Sequence, residues 1–191
     1  EVVIDGAKRW CTGADWSDYI YTLVRSGPAE DRYRNLSFVL IPTNAPGVRM
    51  QDIHHANLRY TASQDVYFDS VRVPAANLLG GPAHENRGFI ALMEQLPWER
   101  LQIAITAVAA AQAAIDWTVT YVKERQVFGQ SVAAFQNTRF TLAELQTEVQ
   151  VARVFVDKCS ELLLQDKLDN ATASMAKYWC SDLQCKVMDE C

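Results

Sequence analysis

The alternation of apolar and polar residues changes character near residue 80. Before it, short β-branched and aromatic runs at 2–4, 8–12, 19–25, 36–41, 48–52 and 65–73 alternate with the turn signals Asp5-Gly6, Pro42, Pro46-Gly47 and Pro74. Asp5-Gly6 between the first two runs predicts a tight hairpin, because glycine accepts the positive φ such a turn requires. Several short strands with turns between them predict an antiparallel barrel or sandwich.

Beyond Gly80-Gly81-Pro82 the period becomes helical. Leu145, Val149, Ala152, Val156, Cys159 and Leu163 recur at steps of four and three, while Glu144, Glu148, Asp157 and Glu161 fall elsewhere, which predicts a bundle helix with one apolar stripe. A further helix is expected from Asp169-Asn170, both favourable N-cap types, through Met175, Ala176, Trp179, Leu183 and Val187. The expected class is α+β: a small antiparallel β-barrel or sandwich domain over residues 1–78, then part of an up-down helical bundle over 79–191.

One charge interrupts the apolar pattern. On a helix at ~100° per residue, Leu92, Leu96, Ile103, Thr106 and Ala110 project within about 60° of Glu99, whereas Gln95, Gln102, Gln112 and Asp116 mark another, solvated strip. Arg100 points toward the small residues Ala104, Ala107 and Ala111. Two readings compete. Pro97 opens the helix, so that Glu99 and Arg100 are first-turn charges reaching water; or Glu99 faces a dry site, where a carboxylate among apolar side chains holds a proton more tightly and suits a general base.

The rest of the sequence narrows the class. A 191-residue chain that is 49% hydrophobic and 21% charged is globular in composition, and its net charge of -5 is spread without a basic stripe, which argues against nucleic-acid binding. Cys11, Cys159, Cys180, Cys185 and Cys191 form no CxxC pair, and four of them lie in predicted helices among apolar neighbours. They read as buried free thiols of a reducing compartment. His54, His55 and His84 lack partners at metal spacing, so no metal site is expected. No uninterrupted apolar run approaches the ~18 residues of a membrane span. A chain opening on Glu1 with a strand under way and stopping at Cys191 within a helical pattern reads as a piece of a longer protein, and its lack of a targeting signal says nothing.

Several motifs together resemble the acyl-CoA dehydrogenase family along the whole chain: residues 5–13 (Asp-Gly-Ala-Lys-Arg-Trp-Cys-Thr-Gly), Val71-Arg72-Val73-Pro74, Asn86-Arg87-Gly88-Phe89, Glu99-Arg100, and Glu124-Arg125-Gln126-Val127-Phe128-Gly129 followed by Phe135-Gln136. The resemblance implies FAD as cofactor, with Trp10, Cys11 and Thr12 lining the flavin. Trp10 would pack on the isoalloxazine and Thr12 would donate a hydrogen bond near N5. Arg125, Phe128 and Gln136 match positions that hold the pyrophosphate and adenine half, commonly that of a neighbouring subunit, which implies a homo-oligomer such as a dimer of dimers. Glu99 would be the catalytic base, as in long-chain and isovaleryl-type members, with Pro97, Trp98 and Arg100 bordering the substrate. The stretch 171–179 resembles the long-chain type most.

The implied reaction is α,β-dehydrogenation of a fatty acyl-CoA to a trans-2-enoyl-CoA in β-oxidation, with electrons passed to an electron-transfer flavoprotein, in a bacterial cytoplasm or mitochondrial matrix. Residues 1–191 alone are expected to be inactive. Two departures concern specificity: the segment Asn57 to Ser63 has Asn57 where the family carries Gly, and the loop from Gly80 to Glu85 is longer than the long-chain pattern. Rival readings are a nitroalkane-type flavin oxidase on the same scaffold and a non-catalytic flavin- or CoA-binding module.

Overall fold

A computed structural model describes residues 1–55 and 62–191; the departure at Asn57 lies outside the described residues. The chain divides into two compact units, Glu1–Leu92 and Met93–Cys191.

In the first unit β1 (Val2–Thr12), β5 (Ser63–Val73) and β4 (Val48–Ile53) form one antiparallel sheet in the order β1-β5-β4, and β2 (Tyr19–Arg25) pairs with β3 (Leu36–Pro42) in another. Alternate residues of both turn inward: Ile4, Val66, Phe68, Val71 and Val73 from the first sheet meet Ile20, Val39 and Ile41 from the second in one core.

The Asp5-Gly6 hairpin is not formed: β1 is one continuous strand. Its pairing with β5 slips by one residue between Ile4 and Gly6, with Ser70 (φ 49°) extra on β5, and slips back between Lys8 and Cys11, where β1 carries the extra residue. The Asp5 carboxylate accepts from the Ser70 amide N–H at 2.6 Å and from its hydroxyl at 3.3 Å, satisfying a donor the first bulge leaves outside the ladder. Gly6 (φ 139°) thus supplies its conformational freedom to a bulge instead of a turn.

The helical unit contains α1 (Gly88–Glu124), which begins in the first unit, then α2 (Gln136–Leu164) and α3 (Asn170–Glu190). The expected stripe on α2 is the one that is buried, Leu145, Val149, Ala152, Val156 and Cys159, and it packs with Leu101, Ala104, Val108, Ala111 and Ile115 of α1 and Ala176, Cys180, Leu183 and Val187 of α3. Lys186, in the last turns of α3, reaches Glu148 and Glu144 in the first half of α2 at 2.7 and 3.5 Å, and the two helices run antiparallel.

Four expectations for this unit need correction. Pro97 lies inside α1 and does not open it. The helix runs through a residue that leaves the Met93 carbonyl without its helical donor, and the packed stripe downstream holds it. Gln112 is not on a purely solvated strip: it exchanges two side-chain hydrogen bonds with Gln146 of α2, at 3.0 and 3.1 Å. On α3 the buried positions include Ala173 and Cys180, while Met175 and Trp179 face outward. Only Cys159 and Cys180 are buried thiols; Cys185 and Cys191 are exposed.

By length and composition α1 also passes for a membrane-crossing helix, with a mean hydropathy of 1.4 over its most apolar 18-residue window. Its buried stripe among α2 and α3 is what a bundle helix carries.

Asp169 caps α3 as its residue type predicts, accepting from the amides of Ala171 (2.8 Å) and Thr172 (2.9 Å) and from the Thr172 hydroxyl (2.6 Å). These bonds, the Thr172 hydroxyl foremost, hold its carboxyl below the usual carboxylate range. A depressed carboxylate stabilises the folded state above the unfolded pKa, and the effect is lost as pH falls through the folded value. Asp169→Ala is therefore expected to lower Tm at pH 7, with the gap to the parent closing in acid below the usual carboxylate range. A gap independent of pH would show that the charge does not cap the helix.

Candidate functional site

At the C-terminal end of β1 the second bulge sets out three consecutive residues. Trp10 stands in the left-handed region (φ 63°), an uncommon conformation for so large a side chain, and is 64% exposed. The Arg9 guanidinium lies 5.0 Å from its ring centroid and is itself 3.3 Å from Asp65. Cys11 turns the other way and packs against the β-core, and burial, partly opposed by Lys8, pushes its thiol pKa up. Thr12 is exposed, and its hydroxyl lies 2.9 Å from that of Ser63, its pairing partner on β5. If Ser63 donates in this bond, the Thr12 proton is free for an outside acceptor. An exposed aromatic on strained backbone with a hydroxyl two residues on fits a flat, polar-edged ring system such as an isoalloxazine.

On α1, Pro97 and Arg100 are half-buried, and Trp98 and Glu99 are exposed. The dry surroundings expected of Glu99 are not met. The stripe packed against α2 and α3 centres on Leu101, Ala104, Val108 and Ala111, and Glu99 lies on nearly the opposite face beside Ile103, which is 47% exposed. Arg100 occupies the side toward the packed stripe. Its Nη1 donates to Asn170 Oδ1 at 2.8 Å, and Asn170 is the first residue of α3.

The third group lines the α1–α2 connection. A short hairpin pairs β6 (Gln126–Val127) with β7 (Gln130–Ser131) across Phe128 (φ 50°) and Gly129 (φ 77°). Both turn residues have positive φ, as a type I′ turn requires; glycine adopts this freely, whereas phenylalanine does so under strain. The turn leaves Phe128 96% exposed. Arg125 is fixed by its backbone, donating to the Tyr121 carbonyl and accepting from the Val132 amide, both at 2.9 Å, while its side chain is exposed. Gln136 opens α2, whose N-cap Phe135 gives no side-chain cap. Uncapped amide N–H groups at a long helix start, an exposed arginine and an exposed aromatic are a donor set suited to a dinucleotide phosphate and base.

The fold thus gathers Trp10 and Thr12 on one strand end, Pro97 to Arg100 on one stretch of α1, and Arg125, Phe128 and Gln136 on one connection. Sequence reasoning missed the pairing of Ser63 with Thr12 and saw in Asn170 only a helix-start residue. It also missed the hairpin that turns at Phe128 and Gly129.

Models of the acyl-CoA dehydrogenase middle domain and of the acyl-CoA dehydrogenase C-terminal domain match residues 1–71 and 86–191. The chain belongs to the acyl-CoA dehydrogenase family. It is 38% identical over 191 residues to the mitochondrial long-chain specific acyl-CoA dehydrogenase of Sus scrofa, covering 99% of this chain and 44% of that protein. To a probable acyl-CoA dehydrogenase of Bacillus subtilis it is 32% identical, covering 100% and 50%. The crystal structure of acyl-CoA dehydrogenase from Geobacillus kaustophilus superposes with a TM-score of 0.93 at 34% identity, covering 97% of this chain and 48% of that one. The chain spans about half the length of the relatives it matches.

Proposed function

We propose that the intact protein is an FAD-dependent acyl-CoA dehydrogenase that converts a fatty acyl-CoA to a trans-2-enoyl-CoA. The observation that carries this reading is the Glu99-Arg100 pair on α1 of a chain 38% identical to a long-chain specific member. An exposed Trp10 on strained backbone and a Thr12 hydroxyl backed by Ser63 support it from the β-unit.

In this reaction the Glu99 carboxylate takes the α proton of the thioester, and the electrons of that C–H bond become the new double bond. Bound FAD supplies the acceptor for the β hydrogen, which leaves as hydride. Trp10 holds one face of the ring system, and Thr12, accepting from Ser63, donates to its edge. Arg100 follows the base on α1 and would act electrostatically at the thioester end, where negative charge develops as the proton is taken. Arg125, Phe128 and Gln136 hold the nucleotide half, in our reading that of a second subunit in a dimer of dimers. A relative 30% identical to the chain is by name a subunit of a caffeyl-CoA reductase–Etf complex, which supports an electron-transfer flavoprotein as partner.

Anaerobic titration of the purified intact protein with fatty acyl-CoAs tests this. It is expected to be yellow and to lose its visible flavin absorbance on adding substrate. A protein that is colourless and cannot be reconstituted with FAD, or that stays oxidised with acyl-CoAs of every chain length, overturns the reading. Oxygen consumption with a nitroalkane and no CoA ester would select the oxidase alternative.

A further inference from the structure

Arg100 ends in an unusual place. Its guanidinium meets the start of α3, where the helix dipole presents partial positive charge, a position that favours anions over cations. The carboxylate nearest in sequence to that helix start, Asp169, is occupied by the amides of Ala171 and Thr172 and the Thr172 hydroxyl. Among the described residues no carboxylate lies within ion-pair distance of Arg100; its one side-chain partner is the neutral amide oxygen of Asn170. A contact serving stability alone would be better made with a carboxylate, which would pair the cation and complement the dipole together.

We propose that Asn170 is a positioning residue for Arg100: it fixes the guanidinium through a neutral acceptor, so that the cation following Glu99 on α1 keeps its full charge for the thioester end of the substrate. The proposal rests on the dehydrogenase reading, in which Glu99 is the base. A freely rotating Arg100 would spread its charge over many rotamers and into solvent, and a salt-bridged one would present a dipole to the reacting centre. A neutral hydrogen-bond acceptor avoids both losses. The half-buried stem of Arg100, on the side of α1 toward Ala104, directs the head across to α3. Asn170 itself need not touch substrate.

The test uses the intact holoenzyme and steady-state turnover of a saturating fatty acyl-CoA with an artificial electron acceptor. Asn170→Asp keeps size and hydrogen bond but adds a charge that pairs with Arg100, and kcat is expected to fall roughly tenfold or more. Asn170→Ala removes the tether and should lower kcat by a similar factor. KM is expected to change less than kcat in both, because the lost interaction belongs to the transition state. Asn170→Gln and Asn170→Ser, which retain a neutral acceptor, should recover part of the rate in at least one case. Thermal melts of each variant separate these effects from folding, the Asp variant being expected to melt at or above the parent temperature. An Asp variant with parental kcat overturns the proposal, as does a loss of kcat that follows Tm across the series. If the parent enzyme turns over acyl-CoA and Asn170→Asp does so equally well, only this proposal fails. A parent that does not turn over acyl-CoA overturns the dehydrogenase reading and this proposal with it.

Discussion

Glu99→Gln in the intact protein is expected to reduce acyl-CoA dehydrogenation by at least about a thousandfold, equivalent to ~4 kcal/mol of transition-state stabilisation. The substitution keeps shape and hydrogen bonding but removes the basic lone pair, so no other group at that position can take the α proton. Glu99 belongs neither to the packed stripe of α1 nor to an ion pair among the described residues, so the fold should tolerate the change. The visible flavin spectrum and melting temperature are expected to match the parent, which separates loss of the base from loss of cofactor or fold. Ferrocenium-coupled turnover measures the rate. Activity within tenfold of the parent would show that another residue is the base.

The second large effect concerns stability. Leu145→Ala is expected to lower the unfolding free energy by about 3–5 kcal/mol, toward the upper end for such truncations. Leu145 is 1% exposed, in a cluster that also holds Ala104, Ala107, Ala111, Ala152 and Ala176. The alanines are too short to swing into the vacated space, and the larger members of the cluster, Leu101, Val149 and Leu183 among them, are already packed, so most of the cavity persists. Leu164→Ala, at a position 86% exposed on the same helix, should change stability by less than about 0.5 kcal/mol. Urea unfolding of the two variants side by side gives the comparison, and equal midpoints would show that the bundle core repacks around the loss.

The sequence made the regular parts of this molecule legible and concealed the irregular ones. The stripe from Leu145 to Cys159 on α2, the strands β2 to β5 and the Asp169 cap follow from periodicity and residue type, because each is decided by a burial pattern or a local hydrogen bond. Pro97 misled because local propensity cannot see that the residues beyond it are locked by α2 and α3. Asp5-Gly6 misled because the conformational freedom of Gly6 suits a bulge as well as a turn, and only the partner strand decides between them. Glu99 was expected on a dry face and is exposed, because a helical wheel does not say which face the rest of the chain covers. The Arg100–Asn170 bond joins residues 70 apart, and no spacing rule reaches that far.

The two slips in the β1–β5 ladder behave like a pair of compensating frameshifts. The first displaces the reading of β1 against β5 by one residue, and the second restores it before Thr12 meets Ser63. Because side chains alternate faces, the segment from Gly6 to Lys8 is the only part read out of frame. Each slip absorbs a single extra residue, so a deletion at Trp10 would remove the second bulge and leave Cys11 and Thr12 opposite Gln64 and Ser63. A deletion at Ser70 would likewise remove the first bulge and leave Ile4 and Gly6 opposite Val71 and Phe68. The two positions are sixty residues apart in the sequence, and the register lets each bulge be gained or lost without moving the strand pairs beyond it.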